Sequence, residues 1–323
     1  MLVVSVGATT GWRAAARELS AALERAGASV IMVSTGPTPA VRTFMLTDFV
    51  QAQAARRVCA EAIAKHVPAS IVYCSMTAAL RWPRPGAVWL DSIAAENRPG
   101  RHGIWQRVVE RRRLVQAPLL LTMADDSLQP LGARPHAPAV TVPVSVEPSG
   151  PGSAVRDVDV LAYTGDPVKR RLDFILEAWQ RARRHGETLV VAGIERSEAV
   201  PGVRFAGRLA PPEYRALLRR ARVFVAAPKR EDFGIAPLEA LADGCRLVTT
   251  PAPGPYPALG LARRLDPRLV SDDLAPALRC ALDSPAADYP QRALELLAPF
   301  SRAAVDVTVA ERVLPRLLPG WGS

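Results

Sequence analysis

Two carboxylates with seven residues between them, Glu231 and Glu239, flank a short loop that holds Phe233, Gly234 and Ile235. Carboxylates only accept hydrogen bonds and so suit hydroxyl-rich ligands, whereas the free N–H groups and positive dipole end of a helix suit phosphate. Gly234 lets the backbone approach a ligand with no Cβ in the way. Such a loop can hold a sugar together with its phosphates. Farther back in the chain, Gly165 makes a turn and Lys169, Arg170 and Arg171 follow it. Cations beside a turn are placed to neutralise a diphosphate and to stabilise it as it departs.

The surrounding elements explain how these groups meet. ARVFVAAP is a short apolar run closed by Pro228, the mark of a buried parallel strand. Pro237 stands where a helix begins and Gly244 where it stops in a left-handed cap, so PLEALAD is a helix with Glu239 in its first turn. A further β-branched run, RLVTT, follows. The result is a strand, loop, helix and strand whose loop opens at the carboxyl edge of a parallel sheet, where ligands bind in such folds.

The pair Glu231 and Glu239, with Phe233, Gly234, Ala240 and Gly244 around it, resembles the nucleotide-sugar signature of family-4 GT-B glycosyltransferases (glycosyl transferases group 1). The resemblance is specific over about residues 160–250. It implies that Glu239 accepts from the ribose hydroxyls and Glu231 from the sugar hydroxyls, and that Phe233, Gly234 and Ile235 offer backbone amides. Gly165 turns the chain, and Lys169 or Arg170 holds the diphosphate. The family carries an arginine directly after that glycine, but this chain has Asp166 there. Many relatives also have a histidine before an aspartate at a carboxyl edge in the first half, where this chain has Leu90 and Asp91. Gly11, in the GATTG turn, corresponds to the glycine loop that closes over the diphosphate, and Arg208, after Gly207, is a further candidate for the nucleotide pocket.

Composition narrows the alternatives. The 323 residues fit two domains, and the 49% hydrophobic share can supply two cores. The formal charge of +10 is almost all arginine, since Lys65, Lys169 and Lys229 are the only lysines; with abundant alanine and proline this reads as compositional bias, and no nucleic-acid partner is expected. Cys59, Cys74, Cys245 and Cys280 lack CxxC or metal-ligand spacing, which fits buried thiols in a reducing compartment. MLVVSVGATTG opens directly as a strand, with no signal-peptide pattern, and no apolar run approaches the length of a membrane span. The expectation is a cytoplasmic protein, with peripheral contact at the inner face of the membrane open to it through Arg111, Arg112 and Arg113.

In chain order, Leu2 to Val6, a helix over 12–26 and ASVIMVS form a βαβ opening; its glycines do not follow GxGxxG, so no dinucleotide cofactor is expected. A helical pattern over 49–65 and the runs ASIVYCS, GAVWLDS, APLLLTMADD and PAVTVPVSVEP follow. Asp91, at a carboxyl edge, and His102, in the glycine-containing ENRPGRHG segment, are the acceptor-side candidates. Pro148 to Ala154 reads as a linker. Asp157 and Asp159 form a DxD, but it precedes its strand and is read as linker edge, so no metal site is assigned. The fold class is therefore α/β: GT-B, two Rossmann-like domains facing each other across a cleft. Residues 1–150 form the acceptor-binding domain, 151–302 the nucleotide-sugar domain and 303–323 a C-terminal helix packing back on the first.

The activity this implies is hexosyltransferase-type transfer from a nucleoside-diphosphate sugar to an acceptor of unread identity, with retention and without metal or other cofactor. The rival reading is a non-catalytic nucleotide-binding or scaffold protein of the same fold, to which Leu90 and Asp166 lean. A third is a polyanion binder driven by arginine.

Overall fold

Short runs of valine, leucine and alanine, hydrophobic on both faces, build two all-parallel sheets, as expected where helices cover each face. The computed structural model describes residues 1–7, 9–36, 41, 43–151, 155–197, 199–318 and 320, apart from the side chains of Thr10, Phe44 and His102. The first sheet holds β1 (Leu2–Ser5), β2 (Ile31–Ser34), β3 (Ile71–Tyr73), β4 (Ala87–Leu90), β5 (Leu120–Thr122) and β6 (Ala139–Thr141), in the order β2-β1-β3-β4-β5-β6. The second holds β7 (Val158–Tyr163), β8 (Leu189–Ala192), β9 (Val203–Gly207), β10 (Ala221–Ala226) and β11 (Arg246–Thr249), in the order β11-β10-β7-β8-β9.

The helices of the first half are α1 (Thr10–Arg25), α2 (Phe44–His66), α3 (Met76–Ala79), α4 (Ala94–Asn97) and α5 (Ile104–Gln116). In the second half are α6 (Leu172–Ala182), α7 (Pro211–Arg220), α8 (Ile235–Ala242), α9 (Pro257–Leu265), α10 (Leu274–Asp283) and α11 (Tyr289–Leu297). The chain closes with α12 (Arg302–Thr308), a π turn and α13 (Leu314–Leu317). Both sheets follow the expected parallel αβ order of Rossmann-like units.

Two units divide the chain. One comprises 1–145 with 302–323, the other 146–301. The linker-like composition of 148–154 therefore does not mark the boundary, which falls a few residues earlier. Ser149 belongs to the second unit, donating from its N–H to Asp243 Oδ1 at 2.7 Å and from its hydroxyl to Oδ2 at 3.0 Å. Residues 152–154 of that stretch lie outside the described residues.

In the first unit, Trp89 of β4 is buried, meets Trp12 of α1 edge-on at 6.0 Å, and donates its indole N–H to the Val142 carbonyl at 2.8 Å. The residues from Arg302 onward return to this unit. Arg25 of α1 grips both carboxylate oxygens of Asp306 at 2.7 and 2.8 Å, while Val305, Val309, Val313 and Leu314 are buried. In the second unit Trp179 of α6 fills the core and donates to the Gly202 carbonyl at 2.9 Å.

Candidate functional site

The second sheet delivers the ends of β7, β10 and β11 side by side, because β10 lies between the other two. All three strands run parallel, so their carboxyl ends point to one edge. Thr164 and Gly165 follow β7, the loop with Glu231 follows β10, and Thr250 follows β11.

After Gly165 the chain makes one tight turn, and Asp166 explains it. Its Oδ1 accepts the N–H groups of Val168 at 3.1 Å and Lys169 at 2.9 Å, and its carbonyl accepts the Arg170 N–H at 3.0 Å. Asp166 thus organises the turn that presents Lys169 and Arg170, as aspartate does in turns generally. The Lys169 carbonyl accepts the Lys229 N–H at 2.9 Å, fastening this turn to the end of β10. Arg171 closes it in the left-handed region, φ 52°, before α6.

Glu231 is 4% exposed. Arg170 donates a short hydrogen bond to its Oε2, and Lys169 Nζ lies 3.9 Å from Oε1. The carboxylate expected to face sugar hydroxyls is therefore already neutralised by the two cations expected to face the diphosphate. Burial pulls the Arg170 guanidinium down from its ordinary range. The Glu231 N–H donates to the Pro253 carbonyl at 3.1 Å, so the 251–256 loop backs it.

The α8 helix starts two residues before Pro237, with Gly234 as its N-terminal flanking residue at φ 78°. A Cβ on Gly234 would stand 3.0 Å from Glu231 Cγ and 3.1 Å from Tyr256 Cε2. No side chain caps this end, and Pro237 has no N–H, which leaves the amides of Gly234, Ile235 and Ala236 as its donors. Phe233 itself is buried against Phe300, ring centroids 6.2 Å apart, so only its backbone is on offer. At the other end Gly244, φ 80°, donates to the Leu241 carbonyl at 3.0 Å and Cys245 to the Ala240 carbonyl at 2.8 Å, a Schellman cap.

Because α8 begins earlier than the proline suggested, Glu239 is not in its first turn but is its fifth residue. Its charge is met by a side chain instead of the helix dipole. Arg215 of α7 donates to Glu239 Oε1 at 3.2 Å, to Asp243 Oδ2 at 2.7 Å and to the Glu147 carbonyl at 2.6 Å. Burial raises the Glu239 carboxyl above its ordinary range, with Asp243 adding to the rise and Arg215 opposing it.

Three hydroxyls that no motif pointed to also stand at this edge or beside it. Thr164 Oγ1, Thr250 Oγ1 and Tyr214 OH are buried with no hydrogen-bond partner. Tyr214 lies edge-on to Tyr163 at 5.5 Å, and burial holds its phenol far above the usual tyrosine range, with Glu239 reinforcing the effect. Arg215 and Tyr214 have no local signal, since both sit in an ordinary amphipathic helix and reach Glu239 only through tertiary packing.

The other candidates stand apart. Arg208 follows β9, the sheet's edge strand, and is exposed, two strands from β7. It does not join the Glu231 cluster. Asp157 and Asp159 lie at the opposite end of β7, the first paired with Arg220 and the second with Arg222 at 3.0 Å. In the first unit Gly11 is exposed in the opening turn of α1. Leu90 is fully buried, and Asp91 follows it with Oδ1 accepting the Ser92 N–H at 2.8 Å. The side chain of His102 lies outside the described residues. Among the described residues no three His, Cys, Asp or Glu side chains gather as a metal site, and no helix is long and apolar enough to cross a membrane.

Residues 159–283 match the family model described as Glycosyl transferases group 1. No curated protein matches the chain in sequence. Among solved structures the chain is similar to WaaG, a glycosyltransferase involved in lipopolysaccharide biosynthesis, at 14% identity and TM-score 0.70, covering 95% of this chain and 99% of that one. It is also similar to a sucrose-phosphate synthase from Thermosynechococcus elongatus, at 13% identity and TM-score 0.66, covering 95% and 96%. The calicheamicin glycosyltransferase CalG4 aligns at 17% identity and TM-score 0.54, covering 98% and 97%.

Proposed function

We propose, from the premise that residues 159–283 match the group 1 glycosyl transferases within a GT-B fold, that this protein transfers a hexose from a nucleoside-diphosphate sugar to an acceptor, with retention and without a metal. The observation that carries the reading is the gathering of Lys169, Arg170, Glu231 and the open amides of Gly234, Ile235 and Ala236 at one carboxyl edge. Cations, a hydroxyl acceptor and a helix N-terminus are the groups a sugar diphosphate needs.

The donor diphosphate sits against the α8 amides and shares Arg170 with Glu231. A guanidinium has five N–H donors, so it can serve both oxygens at once. Lys169, half exposed, turns to the phosphate from its loose position beside Glu231. Glu231 then accepts from the sugar hydroxyls, and Glu239, kept in place by Arg215, accepts from the ribose. As the bond between the sugar carbon and the phosphate oxygen breaks, the electron pair leaves on the diphosphate. The acceptor hydroxyl oxygen bonds the same carbon and its proton passes to the departing phosphate. Negative charge grows at the phosphate in that step, so donors that tighten on it accelerate transfer.

Thermal-shift titration with UDP, GDP, ADP and dTDP sugars identifies the donor, since a ligand that favours the native state raises its melting point. Turnover on that donor then tests the roles. Glu231→Gln is expected to lower kcat on the order of a hundredfold with the melting shift retained, and Glu239→Gln to weaken the shift. Shifts that ignore both glutamates sink the assignment. The pairing of Glu231 with Arg170 and Lys169 favours a second reading, a non-catalytic binder of the same fold. It calls for a strong nucleotide shift with no turnover on any donor.

A further inference from the structure

We propose that the outer face of α5, together with the start of α2, docks on the surface of an anionic lipid bilayer. The α5 helix buries Gln106, Glu110 and Leu114, four residues apart, along one stripe. Its opposite face carries Ile104, Val108, Arg111, Arg112 and Val115, at the i, i+4, i+7, i+8 and i+11 spacing that lies along one side of a helix. The face that meets water is usually polar throughout. Here Ile104 is 53%, Val108 43% and Val115 54% exposed.

The apolar surface continues past the helix. Phe49 of α2 is 40% exposed and lies 5.6 Å from the Trp105 ring in the first turn of α5, and Leu46, 45% exposed, stands one turn before Phe49. The Arg81 guanidinium lies 4.8 Å over the Phe49 ring. Aromatic, aliphatic and arginine side chains therefore alternate over one surface.

Charge selects the occupant. Among the described residues no carboxylate forms a salt bridge with Arg101, Arg107, Arg111 or Arg112. The acids of α5 and of the start of α2 face inward, with Glu110 accepting the Ala94 N–H at 2.8 Å and Asp48 held by Arg98 at 2.8 Å and Gln106 at 2.9 Å, while Glu61, three turns farther along α2, is exposed. Glu96 of α4, packed beside α5, is the exposed acid that stands against them. An anionic bilayer satisfies both halves of this surface. Aliphatic and aromatic side chains enter the headgroup boundary while guanidinium groups reach back to the lipid phosphates. A soluble polyanion would engage the arginines and leave the valines and isoleucine in water.

The test is co-sedimentation of the full chain with phosphatidylcholine vesicles, alone and with roughly a third phosphatidylglycerol, at low and high salt. Binding is expected only to the anionic vesicles and to fall with salt. Arg111→Glu with Arg112→Glu is expected to weaken it by more than about tenfold. Ile104→Ser with Val108→Ser is expected to weaken vesicle binding while leaving retention on heparin, the probe polyanion, unchanged. All four positions tolerate polar side chains, and unchanged melting of each variant verifies that. Equal binding to neutral vesicles, no vesicle binding, or serine variants that bind vesicles as the parent does would each overturn the proposal. So would self-association without lipid that the serine changes abolish. Sedimentation needs no turnover, so its outcome is independent of the glycosyl-transfer reading.

Discussion

Glu231 and Glu110 are both buried carboxylates, yet their surroundings push them toward different uses. Glu231 is paired with Arg170 and Lys169. Removing one partner of such a pair leaves a charge in a poorly hydrated place. Arg170→Met is accordingly expected to destabilise the second unit by roughly 2–4 kcal/mol in urea unfolding, with Lys169 sparing part of the loss. The double variant Arg170→Met with Glu231→Gln should recover most of it; if it does not, the guanidinium stabilises by packing and not by charge. Glu110 has no close cation, and burial pushes it up to about 7 despite the Ala94 N–H and the more distant Arg98 and Arg111. A carboxyl raised in this way binds its proton more firmly folded than unfolded. Its contribution to stability is therefore present below the unfolded value of 4.5 and is lost as pH rises to about 7. At about 1.4 kcal/mol per unit that is on the order of 3 kcal/mol. Glu110→Gln, which keeps a carbonyl for the Ala94 N–H, is expected to flatten this slope when urea unfolding is compared at pH 5 and pH 7.5; an equal slope in the variant would exonerate Glu110.

The loop of residues 251–256 is the element that seats Glu231, and Gly254 is its tightest point. It has φ 105°, and a Cβ there would stand 2.3 Å from the Glu231 carbonyl oxygen. Gly254→Ala is expected to cost about 2 kcal/mol or more and to weaken nucleotide-sugar binding, both read by thermal shift with and without donor. A variant with unchanged melting would show that the loop yields freely. The strands and the α8 unit were legible in the sequence because each rests on a local rule: apolar runs of strand length, and Gly244 as a left-handed cap. The turn that carries Lys169 and Arg170 was legible as a place, though the reason for Asp166 emerged only from its bonds to two amides. Arg215 and Tyr214 were not legible, because a helical arginine or tyrosine shows its partner only once helices pack. The start of α8 was misread from Pro237, a residue tolerated throughout a first turn, and that error moved Glu239 away from the helix end.

The first unit takes its residues from both ends of the chain, while 146–301 supplies the second in one stretch. Val305, Val309, Val313, Leu314 and Leu317 bury their side chains in the first unit. At about 1.5–3 kcal/mol each, their loss exceeds the margin of most domains. A chain ending at Ser301 is therefore expected to lose protease resistance over residues 1–145 and to retain nucleotide binding in 146–301; protection of 1–145 in that chain would show the returning helices to be dispensable. The same discontinuity sets an order of events on the ribosome. Residues 1–145 emerge first but cannot complete their structure, and must wait with the α1 face uncovered while the whole of the later unit is translated and folds. Of the two units, the one whose synthesis begins first is thus the last to mature, and during that interval it is a natural client for chaperones.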